Sequence, residues 1–177
     1  MTKVILKDDR ELWIRRAEEE DAQQLVQYMN LVGGESDFLT YGKNECRFTV
    51  EEERRFLRDQ QKNPNNLYLV GFIGAELACC ANLAAESKKR IAHNCELGIT
   101  VRKKYWNLGA ASAMMKELIH FAKENETLKA IHLNVYANNQ SAIRLYEKFG
   151  FQTVGRIQNY FQVGNEYYDD LIMTLYL

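Results

Sequence analysis

CELGITVRKKYWNLGAASAMMKELIHFA, residues 95–122, reads as a strand, a turn and a helix in succession. Cys95, Leu97, Ile99 and Val101 alternate with Asn94, Glu96, Gly98 and Thr100, the period of two that marks a sheet segment. After a basic, aromatic turn and Gly109, the residues Ala111, Met114, Met115, Leu118, Ile119 and Ala122 recur at helical spacing, so one stripe faces a core. A strand that empties through a small-residue turn into a helix start aims unpaired backbone N–H groups, and the positive end of the helix dipole, at that turn. The stretch therefore reads as a seat for a phosphate or pyrophosphate. Arg102, Lys103 and Lys104 stand just before it, placed to meet a polyanion. A plain tight connection is the alternative for this turn taken alone. Neither G-x-G-x-x-G nor G-x-x-x-x-G-K-[ST] is present, which disfavours a dinucleotide or P-loop fold.

Outward from this stretch, Leu12–Arg15 reads as a first strand after a charged turn at Lys7–Arg10. Ala22, Leu25, Val26 and Met29 share a helical face. Thr49 precedes Glu52 by three residues, a capping-box signature for a charged helix to about Gln61, and Asn63-Pro64-Asn65-Asn66 is a turn. Leu67–Ile73 and Leu77–Ala85 read as a hairpin about Gly74-Ala75, Ala130–Val135 as a central strand, and Asn139–Phe149 as a short helix closed by Gly150. Phe151–Gln158 and Tyr167–Leu177 close the chain as two strands. The order predicts a mixed sheet with helices on both faces, and no repeat or linker divides residues 1–177, so a single domain is expected.

Composition sets bounds. The chain has 177 residues, enough for one domain with a real core, 46% of them apolar and 27% charged. A net charge of −1 provides no general attraction to nucleic acid or anionic lipid, and no apolar run approaches the ~20 residues that span a bilayer. The opening MTKVILKDDRELW is broken by charge within a few residues, which reads against a signal peptide. Cys46, Cys79, Cys80 and Cys95 lack metal-ligand or disulfide spacing, as do His93, His120 and His132. They read as reduced thiols of a cytoplasmic protein, with Cys79 and Cys80 on opposite faces of a strand, and no metal is expected.

A second constellation is NNQSAIRLYEKFGF, residues 138–151. Asn139 and Tyr146 lie seven positions apart, two helical turns, and share a face with Ala142 and Ile143. A helix cap and a half-buried tyrosine explain that pair equally well. Together, however, the two stretches resemble the GNAT superfamily of acyl-CoA-dependent N-acyltransferases, over about residues 10–177. The family's turn, [Q/R]-x-x-G-x-[G/A], falls on Trp106-Asn107-Leu108-Gly109-Ala110-Ala111, with Trp106 where Gln or Arg is usual. Its second signature, N-x-x-A-[I]-x-L-Y-x-x-x-G-F, is met by Asn139, Ala142, Ile143, Leu145, Tyr146, Gly150 and Phe151, and YYDDLIMTL resembles its last strand.

The resemblance implies an α+β fold, with a mixed, mostly antiparallel central sheet of six to seven strands flanked by about four helices. It implies acetyl-CoA as co-substrate and transfer of an acetyl group to an amine, on a small molecule or a protein. The backbone amides of Asn107, Leu108, Gly109, Ala110, Ala111 and Ser112, beside Trp106, would bind the pyrophosphate. The pantetheine arm would lie like an added strand on Ile99 and Val101, with Asn139 and Ala142 along its other side. A backbone N–H near Leu97–Ile99 would face the thioester oxygen, and Tyr146 would protonate the departing thiolate. Glu96, on the opening strand, is the candidate base. Cys95 alternates with the apolar positions and reads as a structural thiol, in keeping with direct transfer. The acceptor site is expected in the irregular segments 33–48 and 160–168, where Glu35, Asp37, Glu45 and Glu166, with Phe38, Tyr41 and Tyr160, form an acidic, aromatic mouth that would draw a cationic amine. The family's exposed sheet edges allow a homodimer. A non-catalytic acyl-CoA sensor and an unrelated nucleotide-binding α/β domain are the alternatives.

Overall fold

The computed structural model describes every residue from Met1 to Leu177. The strands are β1 (Thr2–Ile5), β2 (Glu11–Arg16), β3 (Leu67–Ile73), β4 (Glu76–Ala85), β5 (Asn94–Val101), β6 (Ala130–Tyr136), β7 (Gln152–Val163) and β8 (Glu166–Tyr176). The helices are α1 (Ala22–Val32), α2 (Val50–Lys62), α3 (Ala110–Glu124) and α4 (Gln140–Lys148). All eight strands form one sheet in the order β1-β2-β3-β4-β5-β6-β8-β7. Every neighbouring pair is antiparallel except β5 with β6.

The sheet has one strand more than the expected six to seven. The addition is β1, whose four residues pair with β2 from Thr2↔Ile14 to Ile5↔Glu11. It is short, carries only two apolar residues and is bent back by Asp9 at φ 65°, so alternation gave it no signal. The final hairpin is also tighter than a loop: β7 runs on to Val163 and turns at Gly164, φ 61°.

Each face of the sheet carries its own helices. Leu97 of β5, Ile131 of β6 and Met173 of β8 pack with Met114, Met115 and Leu118 of α3 and with Ile143 and Tyr146 of α4. On the other face Val70, Leu77 and Cys80 meet Ala22, Leu25, Tyr28 and Val32 of α1 and Leu57 of α2. Cys79 and Cys80 accordingly point into opposite layers. Met114, Met115, Leu118, Ile119 and Ala122 of α3 and Ala22 and Leu25 of α1 are buried as expected, with differences at the remaining positions. Ala110 and Ala113 are buried while Ala111 is half-buried, and in α1 Tyr28 and Val32 take the inner positions rather than Val26 and Met29. The α2 capping box forms as expected: Glu52 N–H donates to Thr49 Oγ1 at 3.2 Å and Thr49 N–H to Glu52 Oε2 at 2.8 Å. No helix is long and apolar enough to cross a membrane.

Glu53 conflicts with its surroundings. It is buried on α2, its Oε1 has no hydrogen-bond partner, and burial pushes its carboxyl up from 4.5 to about 7. A carboxyl whose folded pKa exceeds its unfolded one stabilises the fold at low pH and loses that contribution as pH rises toward the folded value. Glu53→Gln is therefore expected to raise Tm at pH 8, with the gain fading as the pH approaches 4.5. Thermal melts across that range test it, and a gain independent of pH would assign the effect to packing.

Candidate active site

The parallel pairing of β5 with β6 stops almost as soon as it starts. It covers Asn94↔Ala130, Cys95↔Ile131 and Glu96↔His132, after which Leu97–Val101 remain paired with β4 and Leu133–Tyr136 with β8. The sheet forks there. The bonding alternation of β5 follows from its ends: Arg102 N–H donates to Ala78 O at 2.9 Å and Glu86 N–H to Asn94 O at 3.1 Å. Even-numbered residues therefore bond to β4, and the N–H and C=O groups of Leu97, Ile99 and Val101 face the fork. Past the last β6 pair, the first N–H left free is that of Ile99. Val101 is partly satisfied, because Trp106 Nε1–H donates to its carbonyl at 2.7 Å.

At the open end of the fork lies the turn into α3. Lys103–Tyr105 form a single 3₁₀ turn, Asn107 has φ 62°, and Gly109 has φ 99°. Ala113 N–H donates to Gly109 O at 3.0 Å, so the amides of Ala110, Ala111 and Ser112 precede the first helical bond and stay free. A Cβ on Gly109 would meet nothing within 4 Å, so glycine is needed there for its backbone conformation rather than for space. Two of the three basic residues are already engaged. Arg102 bonds Glu35 at 2.8 Å and Glu76 at 3.1 Å, and Lys104 bonds Glu76 at 2.6 Å; Lys103 alone forms no ion pair. Lys7 N–H donates to Leu108 O at 3.1 Å, so the β1–β2 turn also braces the loop.

The two candidate proton-transfer residues stand on opposite faces of the sheet. Tyr146 lies with the α3–α4 core, its ring 7% exposed and against Phe151. Burial raises its phenol to about 12, and the hydroxyl makes no hydrogen bond. Asn139 is the N-cap of α4, Oδ1 accepting from Ala142 N–H at 3.1 Å, which leaves its amide hydrogens free. Glu96 is exposed on the other face, with no ion pair or hydrogen bond. Asn82, opposite Gly98, shares with Glu96 a cavity of about 270 Å³. A Cβ at Gly98 would sit 2.6 Å from Asn82 Oδ1, so that glycine lets the amide lie flat on β5.

Some neighbours left no sequence signal. His132, level with Glu96, bonds Asn94 Oδ1 and Thr174 Oγ1, both at 2.9 Å. Asp170, fully buried opposite Tyr136, accepts from the Asn134 amide through one oxygen and has no partner for the other; burial raises its pKa. A pair of acids in the apolar run YYDDLIMTL was the one hint available for it.

A cavity of about 390 Å³ opens beyond the fork, walled by Asp37, Phe38, Lys103, Trp106, Tyr136 and Tyr168. It is lined from both irregular segments, and of the four acids only Glu35 and Asp37 line it. Glu35 is spent on Arg102 and on Lys103 N–H at 2.7 Å, Glu45 accepts from Gly42 N–H at 2.7 Å, and Glu166 accepts from the Tyr168 hydroxyl. The aromatic part is intact: Phe38 meets Tyr136 edge-on at 5.8 Å, and Phe161 stacks on Tyr136 at 3.6 Å. No group of three or more His, Cys, Asp or Glu converges as a metal site would require.

A mixed, mostly antiparallel sheet flanked by four helices is the fold that the resemblance to the acyl-CoA-dependent N-acyltransferases implies. The chain belongs to the acetyltransferase (GNAT) family, whose sequence profile matches residues 36–151. A GNAT-family acetyltransferase from Streptococcus pneumoniae superposes with a TM-score of 0.91 at 32% identity, covering 94% of this chain and 99% of that one. The L-amino acid N-acetyltransferase AaaT of Escherichia coli is 30% identical over 111 residues, 63% of this chain and 68% of that protein. The yncA protein of Salmonella typhimurium, solved with acetyl-CoA, shares the fold at a TM-score of 0.81 and 15% identity, over 93% of each chain. The chain is thus an N-acetyltransferase with acetyl-CoA as co-substrate.

Gly109→Ala is expected to force an L-residue into the left-handed region at about 1–2 kcal/mol, lowering Tm by roughly 2–8 °C. Calorimetry on the unliganded protein tests this, and an unchanged Tm would show that the turn relaxes freely.

Proposed function

We propose that the chain transfers the acetyl group of acetyl-CoA to an amine, on a small molecule or a protein, by direct attack across the forked sheet. One observation carries this reading: Glu96 and Tyr146, neither of them hydrogen-bonded within the protein, flank the fork from its two faces. Acyl transfer to an amine needs a proton removed from the nucleophile and one delivered to the leaving sulfur. With its base and acid on opposite sides of the donor, the protein performs both without either group displacing the other.

The roles follow from position. The amides of Asn107 to Ser112, next to Trp106, hold the pyrophosphate in the turn before α3. The free edge of β5 at Ile99 and Val101 takes the pantetheine arm as an added strand, and Asn139 supplies amide hydrogens with Ala142 alongside. Ile99 N–H, the first free donor past the fork, is placed for the thioester oxygen as negative charge develops there. Glu96 takes the amine proton through water, which Asn82 beside it helps to hold in their shared cavity. Tyr146, its pKa raised to about 12 by burial, stays protonated throughout the working pH range and gives its proton to the thiolate. When bound, acetyl-CoA supplies the activated thioester; the chain's own groups orient it and manage the protons.

Tyr146→Phe is expected to lower kcat by about a hundredfold while acetyl-CoA Kd holds, since only a proton donor is lost. Glu96→Gln is expected to lower kcat/KM for the amine by a similar factor and to flatten its rise with pH. Thiol release against an amine panel, with acetyl-CoA titrations, reads both. Equal loss of kcat and acetyl-CoA affinity in Tyr146→Phe would make that residue structural, and an unchanged pH profile in Glu96→Gln would move the base elsewhere.

A further inference from the structure

The acceptor cavity has an uncommon charge balance for a site that receives amines. Of the two carboxylates that line it, Glu35 is ion-paired with Arg102 and also accepts from Lys103 N–H. Two charges remain without protein partners, the carboxylate of Asp37 and the ammonium of Lys103. They come from different segments: Asp37 from the stretch after α1, Lys103 from the turn before α3. Lys103 Nζ lies 5.9 Å from the Trp106 ring, within the same wall. Asp37 stands near Tyr136 and Tyr168: its charge adds to burial in raising the Tyr136 phenol, and to the Glu166 bond and burial in raising that of Tyr168. Phe38, Trp106, Tyr136 and Tyr168 make the rest of the wall mainly aromatic. At about 390 Å³ the cavity sits at the small end of small-molecule sites.

Resting on the acetyl-transfer reading above, we propose that the acceptor is a zwitterion, an apolar α-amino acid whose carboxylate pairs with Lys103, whose amine enters past Asp37 and whose side chain fills the aromatic wall. A polyamine requires two or more uncompensated carboxylates and would meet a free ammonium instead. A protein N-terminus carries an amide where Lys103 calls for an anion. A single unpaired charge of each sign in a mainly aromatic wall matches a net-neutral amino acid better than either.

The test follows thiol release from acetyl-CoA with leucine, methionine and phenylalanine, with the decarboxylated amine of each, and with spermidine. Each amino acid is expected to exceed its decarboxylated amine in kcat/KM by about tenfold or more, with spermidine the poorest acceptor. Lys103 is exposed, so Lys103→Met should fold; it is expected to bring the ratio of amino acid to amine close to one, a ratio that any change in acetyl-CoA affinity at the neighbouring turn leaves unaffected. Asp37→Asn is expected to raise KM for amino acids and amines alike. Equal use of amino acid and amine, preference for spermidine, or a Lys103→Met variant that keeps the ratio and loses acetyl-CoA affinity would each overturn the assignment. In those outcomes thiol release continues and acetyl transfer stands. Binding of acetyl-CoA with no thiol release from any acceptor would instead remove the acetyl-transfer reading, and this assignment with it.

Discussion

The constraint on which everything else rests is the early end of the β5–β6 ladder. A parallel pair must return by a crossover, here α3, and that crossover covers one face of the sheet. Because pairing covers only three positions, the remainder of β5 has backbone donors and acceptors directed at no strand. Buried backbone polar groups without partners are costly, and natural proteins seldom retain them without a use. An extended ligand with amide groups satisfies such an edge as another strand would. The turn into α3 lies at the open end of the same gap, so a free strand edge and the free amides of a helix start stand side by side.

The sequence displayed most of this architecture because its strongest signals are periodic. Alternation along β5, the α3 stripe and the Thr49–Glu52 box are local patterns, and each formed within a residue or so of its expected place. The fork itself was invisible. Nothing in the residues of β5 states where β6 stops bonding to it; that depends on how two distant strands diverge. β1 was missed because four residues carry too little alternation, and the sheet came out one strand larger. The site divides in the same way. Gly109, Asn139 and Tyr146 stand in motifs whose spacing is local, whereas Asn82, His132 and Asp170 reach the fork from strands far apart in the chain.

The charges show the sharpest difference between composition and structure. Read in order, Glu35, Asp37, Glu45 and Glu166 form an acidic mouth, and Arg102, Lys103 and Lys104 a basic turn. Folded, Glu35 and Arg102 pair across the two groups, and Glu76, from β4, holds Arg102 and Lys104. Arg102, its side chain only 14% exposed, bonds both Glu35 and Glu76, and Glu76 accepts from the Tyr105 hydroxyl at 2.8 Å. Glu35 also binds the backbone of Lys103, so the acceptor loop is fastened to the donor turn by shielded contacts rather than by loose surface pairs.

Cancelling those charges also suits the chemistry. An amine attacks only after losing its proton, and a nearby uncompensated carboxylate raises the amine's pKa by favouring the ammonium form. Each unit of such a rise lowers the neutral fraction about tenfold at any pH below that pKa. A strongly acidic mouth would capture amines well and hold them in the unreactive state. With Glu35 paired to Arg102, Asp37 is the one unpaired carboxylate lining the cavity, and Lys103, by opposing positive charge, weakens its hold on the ammonium. Glu96, on the exposed face beyond the fork, then draws the proton from an amine the pocket does not bind too firmly as a cation. The balance that selects a neutral zwitterion is thus the balance that leaves its amine ready to react.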